Sequence, residues 1–83
     1  MEDLKTSLEL LPDNSHRLSN LCGRLNENIK TIERTLSLRI QQRGNVFCLS
    51  GSKKAINDGC RVLELLYGLT ESGKLIHPQM INL

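Results

Sequence analysis

Residues 21–36, LCGRLNENIKTIERTL, constrain the fold of this chain more than any other stretch. Leu25, Ile29, Ile32 and Leu36 fall at spacings of four, three and four, the stripe of a helix with one buried face. Upstream the stripe is broken by Gly23, which follows the apolar pair Leu21 and Cys22 and suits the left-handed cap that ends a preceding helix. Asn26 stands at the expected N-cap of the second helix, its side-chain oxygen placed to accept from an orphan backbone N–H. Two helices therefore meet at a short loop of Gly23, Arg24, Leu25 and Asn26. Free N–H groups open the second helix there, and with Arg24 in the loop and Lys30 and Arg34 on the helix, the corner fits a phosphate.

The elements on either side follow from apolar periodicity. Leu4, Thr6, Leu8 and Leu10 alternate with polar neighbours across residues 1–10, as in a strand with one buried face, and Pro12 ends it. Asp13, Asn14 and Ser15 supply N-cap chemistry for a first helix of about two turns, with Leu18, Leu21 and Cys22 inward. After the second helix, Gly44 and Asn45 form a two-residue hairpin signal that sets a register: Arg43 opposite Val46, Gln42 opposite Phe47, Ile40 opposite Leu49. Leu38, Ile40, Phe47 and Leu49 then share one face, while Arg39, Gln41, Arg43, Cys48 and Ser50 take the other. Such a sheet is covered by helices on one side only. Gly51 turns the chain, and Ser52 caps a long third helix with Ile56, Cys60, Leu63, Leu66 and Tyr67 inward. The expected fold is α+β, ordered βααββα, with a three-stranded antiparallel sheet and three helices packed on one face.

Eighty-three residues support one small core and are too few for an enzyme with a separate substrate domain. The formal charge of +2 is far from the strongly basic balance that holds nucleic acid by bulk electrostatics, so binding must come from a local patch. With 24% of residues charged, Arg24, Lys30 and Arg34 can equally be an ordinary solvated helix face. Phe47 and Tyr67 are both assigned to the core, which leaves no aromatic for base stacking. The three cysteines, Cys22, Cys48 and Cys60, are odd in number and lack CxxC spacing, and the first residues are charged. A reduced, cytoplasmic chain without a structural metal is expected. No stretch approaches the roughly 18 apolar residues of a membrane span.

Residues 68–74, GLTESGK, match seven positions of the GxxxxGK[ST] phosphate loop, but the next residue is Leu75, where magnesium needs a hydroxyl. The stretch also leaves a helix rather than a strand. It is expected to be a flexible exit, with residues 1–69 forming the domain and residues 70–83 a linker.

The order strand, helix, helix, strand, strand, helix, with a glycine-led loop between the first two helices, resembles the KH domain of RNA-binding proteins. LCGRLNENIKTIERTLSLRIQQRGNVFCLSG, followed by a helix ending in LELLYGL, more closely resembles the N-terminal domain of the PhoH family of bacterial predicted ATPases. The resemblance implies a non-catalytic KH-like domain joined to a P-loop ATPase domain after residue 83. ATP and magnesium would belong to that domain, with no cofactor here. It implies single-stranded RNA as ligand, with no DNA or membrane partner, and an oligomer would form through the longer protein. The GxxG loop of KH domains falls on Gly23, Arg24, Leu25 and Asn26, with Asn26 in place of the last glycine. Glu27 beside it repels a phosphate, and the two-residue hairpin replaces a longer groove wall. The alternative from another class is a protein-interaction or oligomerisation module that keeps the shape without RNA.

Overall fold

The computed structural model describes residues 4–81. Strand β1 (Leu4–Glu9) leads into α1 (Ser15–Cys22), a 3₁₀ turn (Arg24–Asn26), α2 (Glu27–Leu36), β2 (Arg39–Arg43), β3 (Val46–Gly51) and α3 (Lys53–Leu69). The fold is α+β, with the three helices against one face of an antiparallel sheet ordered β1-β3-β2. The part of the expected first strand at residues 1–3 lies outside the described residues.

Local chemistry sets the boundaries. From the three cap candidates the structure selects Asn14, whose Oδ1 accepts from the Arg17 N–H at 2.9 Å and opens α1. Ser52 opens α3 in the same way, its Oγ accepting from the Ala55 N–H at 3.1 Å. Helix α2 ends at Ser37 in the left-handed conformation, and the Leu38 N–H returns to the Glu33 carbonyl at 3.1 Å, closing a Schellman-type cap.

The hairpin has the expected register, Arg43 opposite Val46 and Ile40 opposite Leu49. Leu38, Ile40, Phe47 and Leu49 are all buried beneath the helices, with Ile29, Ile32, Ile56, Leu63 and Leu66 above them. On the uncovered face the pairing forms rows across the sheet, Lys5–Ser50–Arg39 and Ser7–Cys48–Gln41. Cys60, expected inward, is half-buried at the margin of the core.

Three expectations are corrected by packing. The first strand has no continuous buried face: Leu4 and Thr6 are exposed, Leu8 is partly buried, and only Leu10, just past the end of β1, is buried. Leu25 is not part of the buried stripe: α2 begins only at Glu27, so Leu25 sits in the preceding turn and is 91% exposed. The segment after Leu69 is not a loose exit. Thr70, Ile76 and Ile81 are buried, because apolar side chains that reach the core gain more from leaving water than from free motion. Residues 82 and 83 of the expected linker lie outside the described residues.

The end of α3 is closed by α1. Arg17 donates from Nη2 to the Tyr67 carbonyl and from Nε to Thr70 Oγ1, both at 2.9 Å, and its guanidinium lies 4.3 Å from the Tyr67 ring centroid. The Tyr67 hydroxyl donates to the Pro12 carbonyl. The GLTESGK stretch falls at this helix end, in the setting that the sequence assigns it.

Candidate nucleic-acid interface

The corner between α1 and α2 begins at Gly23, with φ 78° and ψ −179°. That backbone region is essentially restricted to glycine. A Cβ there would also lie 2.7 Å from Asn28 Nδ2. Leu25 (φ 51°) and Asn26 (φ 61°) are both left-handed. Asn26 is therefore not the expected N-cap, since a cap residue needs extended backbone to swing its side chain over the helix, and α2 has no side-chain cap. The Glu27 N–H is taken by the Arg24 carbonyl, no side chain caps the N–H groups that follow, and Glu27 is the acidic residue in that turn.

The structure brings the sequence-assigned residues together only in part. Gly23, Arg24, Leu25 and Asn26 form the protruding corner. Lys30 and Arg34 follow at one-turn spacing on the exposed side of α2, away from buried Ile29 and Ile32. A groove of 370 Å³ runs from the corner toward the hairpin, lined by Leu18, Cys22, Gly23, Asn26, Gln42 and Gly44. A second cleft, of 260 Å³, lies between the corner and the tail, lined by Asn20, Arg24, Glu27, Leu75, Ile76 and His77. Lys30 and Arg34 line neither of them.

Two residues that the sequence reading passed over hold this region. Asn28 is fully buried and donates from Nδ2 to the carbonyls of Leu21 (3.0 Å) and Ile76 (2.8 Å), tying the end of α1 to the tail. Its Oδ1 is buried with no partner. An asparagine next to Ile29 on an apolar helix face was the available signal. Gln42 falls on the covered face by the same alternation as Leu38 and Ile40, and its Oε1 accepts from the Cys22 thiol at 3.2 Å. Burial pushes the Cys22 thiol pKa up, and the bond to Gln42 only partly offsets this. Cys22 thus stays a protonated, apolar-like part of the groove floor. Glu33 Oε2 accepts from the Ile40 N–H at 2.7 Å, occupying an outward N–H of edge strand β2.

Among the described residues no three His, Cys, Asp or Glu side chains are grouped to hold a metal, and no helix is long and apolar enough to cross a membrane. Both aromatic side chains, Phe47 and Tyr67, are buried.

No protein-family model matches the chain. Individual proteins do: the PhoH-like protein of Mycobacterium bovis and those of two strains of Mycobacterium tuberculosis are each 30% identical over 79 residues, 95% of this chain. The chain is similar to the PhoH family. The PhoH similarity runs through both helices of the corner, the hairpin and most of α3, since only four of 83 residues fall outside it. The chain spans 22% of the length of these PhoH-like relatives.

Proposed function

We propose that this chain is a KH-like domain that binds single-stranded RNA, and that it serves as the N-terminal, non-catalytic part of a PhoH-type ATPase in the cytoplasm. The observation that carries the reading is the groove between the glycine-led corner and the β2–β3 hairpin, in a βααββα chain with sheet order β1-β3-β2. Such a groove has an anion-attracting edge at the uncapped start of α2, with Arg24 in the neighbouring cleft, beside an apolar floor of Leu18 and Cys22. Phosphates belong on the first and bases on the second. The similarity to PhoH-like proteins that are several times longer supports an attached ATPase domain, where ATP and magnesium would act.

The grip is weak by construction. Arg24, Lys30 and Arg34 can neutralise about two or three phosphates against Glu27, which gives a log–log salt slope of roughly −1.5 to −2 on a single strand. Titration of labelled single-stranded RNA at several salt concentrations tests this. The double variant Arg24→Glu/Lys30→Glu should lose binding at an unchanged melting temperature, because both side chains are exposed. No binding by the wild-type chain at low salt, or equal binding by the double variant, would favour the protein-interaction module instead.

A further inference from the structure

We propose that the open edge of β1 pairs with the same edge of a second copy of this chain, antiparallel about a two-fold axis at Ser7, which joins two three-stranded sheets into one continuous sheet. The inference stands apart from the RNA-binding reading and does not require it.

The two edges of the sheet differ. In the order β1-β3-β2 the outer strands are β1 and β2, and β2 has its outward Ile40 N–H taken by Glu33. Strand β1 is bare. The Leu10 N–H bonds to the Asn45 carbonyl at 2.9 Å, in continuous register with the pairs from Leu4 opposite Gly51 to Glu9 opposite Val46. By antiparallel alternation Leu4, Thr6 and Leu8 also turn their backbone groups toward β3, while Lys5, Ser7 and Glu9 turn theirs outward. Among the described residues nothing bonds to these outward groups, and β1 has neither the proline nor the bulge that deters a further strand. Thr6 and Leu8 sit opposite buried Leu49 and Phe47 and so face the helices, yet Thr6 is exposed and Leu8 only partly covered. The helices stop short of this edge.

Charge selects the occupant. Lys53 and Glu64 of α3 are three turns apart and lie on one stripe of that helix. Glu64 lines a 560 Å³ cleft together with Glu9 and Glu71, so this stripe faces the open edge; Arg17, in the same cleft, is bonded to Tyr67 and Thr70. The edge is therefore acidic at one end, through Glu9, Glu64 and Glu71. At the other end it is basic, through Lys5 and through Lys53 just past Gly51, the partner of Leu4. Lys53 stands in the first turn of α3, where the helix dipole disfavours a cation and no acidic residue is present. A two-fold axis at Ser7 answers each end with the other: Lys5 lies opposite Glu9 of the second copy, and Thr6 opposite Leu8. This register also sets outward-pointing residues against outward-pointing residues, as an antiparallel ladder requires. An unrelated strand has no reason to carry the reversed pattern, whereas a second copy carries it by symmetry. The groove of the α1–α2 corner lies by Gln42 and Gly44, toward β2, and stays open in such a dimer.

The test is sedimentation of the full chain without RNA from about 1 µM to about 1 mM, the range expected of a small strand-edge interface. Wild type should pass from monomer to dimer. Lys5→Glu and Glu9→Lys should each weaken the dimer about 10-fold or more, since each sets two like-charged pairs across the axis. The double variant Lys5→Glu/Glu9→Lys restores opposite charges in reverse and should recover the wild-type affinity. All three should keep the wild-type melting temperature at low concentration, because both side chains are exposed. Amide hydrogen exchange at Ser7 and Glu9 should slow as concentration rises, since pairing bonds these N–H groups. A chain that stays monomeric throughout overturns the proposal, as does a dimer that survives both single substitutions or that the double variant fails to restore. Exchange at Ser7 that ignores concentration in a dimerising chain places the interface elsewhere and overturns it too.

Discussion

Two tight connections of the domain, the α1–α2 corner and the β2–β3 turn, begin with a glycine at positive φ, yet they treat their remaining residues in opposite ways. The turn is stitched down. Asn45 donates from Nδ2 to the Leu10 carbonyl and accepts from the Leu10 N–H, each at 2.9 Å, while Gln42 Nε2 donates to the Gly44 carbonyl at 2.8 Å. The corner is fixed through its backbone and through Asn28 beneath it, and it turns Arg24, Leu25 and Asn26 to solvent. The turn thus joins a third strand to a hairpin, whereas the corner is a rigid mount for side chains. Polar residues that bond inward serve folding, and those left unbonded on a fixed backbone are available to a ligand.

The contrast requires that the corner be anchored, and Ile32, fully buried in α2, is the anchor. Ile32→Ala should cost about 2–5 kcal/mol, enough to unfold a domain of this size, as a thermal or urea melt would record. An unchanged midpoint would mean that α2 does not fix the corner, and the comparison would collapse. A pair of glycine variants sharpens it. Gly23→Ala drives a Cβ against an Asn28 amide that two carbonyls hold in place, and should cost about 2–4 kcal/mol. Gly44→Ala meets nothing within 4 Å and should cost only about 1 kcal/mol for its left-handed backbone. Equal losses would show that the two connections are held alike. The smallest effect belongs to Asn45→Ala, about 0.5–1 kcal/mol for one part-buried bond, with RNA affinity unaltered. A change in RNA affinity there would place the turn within the interface.

The features that the sequence made legible are those written in adjacent residues. The Ser52 cap, the hairpin register through Gly44 and Asn45, and the sheet face of Leu38, Ile40, Phe47 and Leu49 each follow from spacing over a few positions. Leu25 was misassigned by the same logic: its spacing from Ile29 is helical, but the two left-handed residues at 25 and 26 delay the helix until Glu27. The corner's supports had no local signature at all. Arg17 reaches residues 50 and 53 positions away, and Asn28 bonds to a carbonyl 48 positions away. A side chain bonded to a distant carbonyl looks in sequence like any surface polar residue. Burial of Ile76 and Ile81 was hidden for a related reason, since isolated apolar residues in a tail carry no period.

Tyr67 has a consequence of an optical kind. The chain contains one tyrosine and no tryptophan, so emission excited at the long-wavelength edge of the tyrosine band, where its one phenylalanine does not absorb, comes from a single ring. That ring is buried where the chain leaving β1, helix α1 and the end of α3 converge, under the Arg17 guanidinium and with its hydroxyl on the Pro12 carbonyl. Unfolding exposes the ring and parts it from both, so the domain carries its own spectroscopic probe of folding. RNA bound at the corner would be sensed by this probe only through movement of α1. A melt followed at Tyr67 and a titration followed on labelled RNA therefore look at opposite ends of the same short helix.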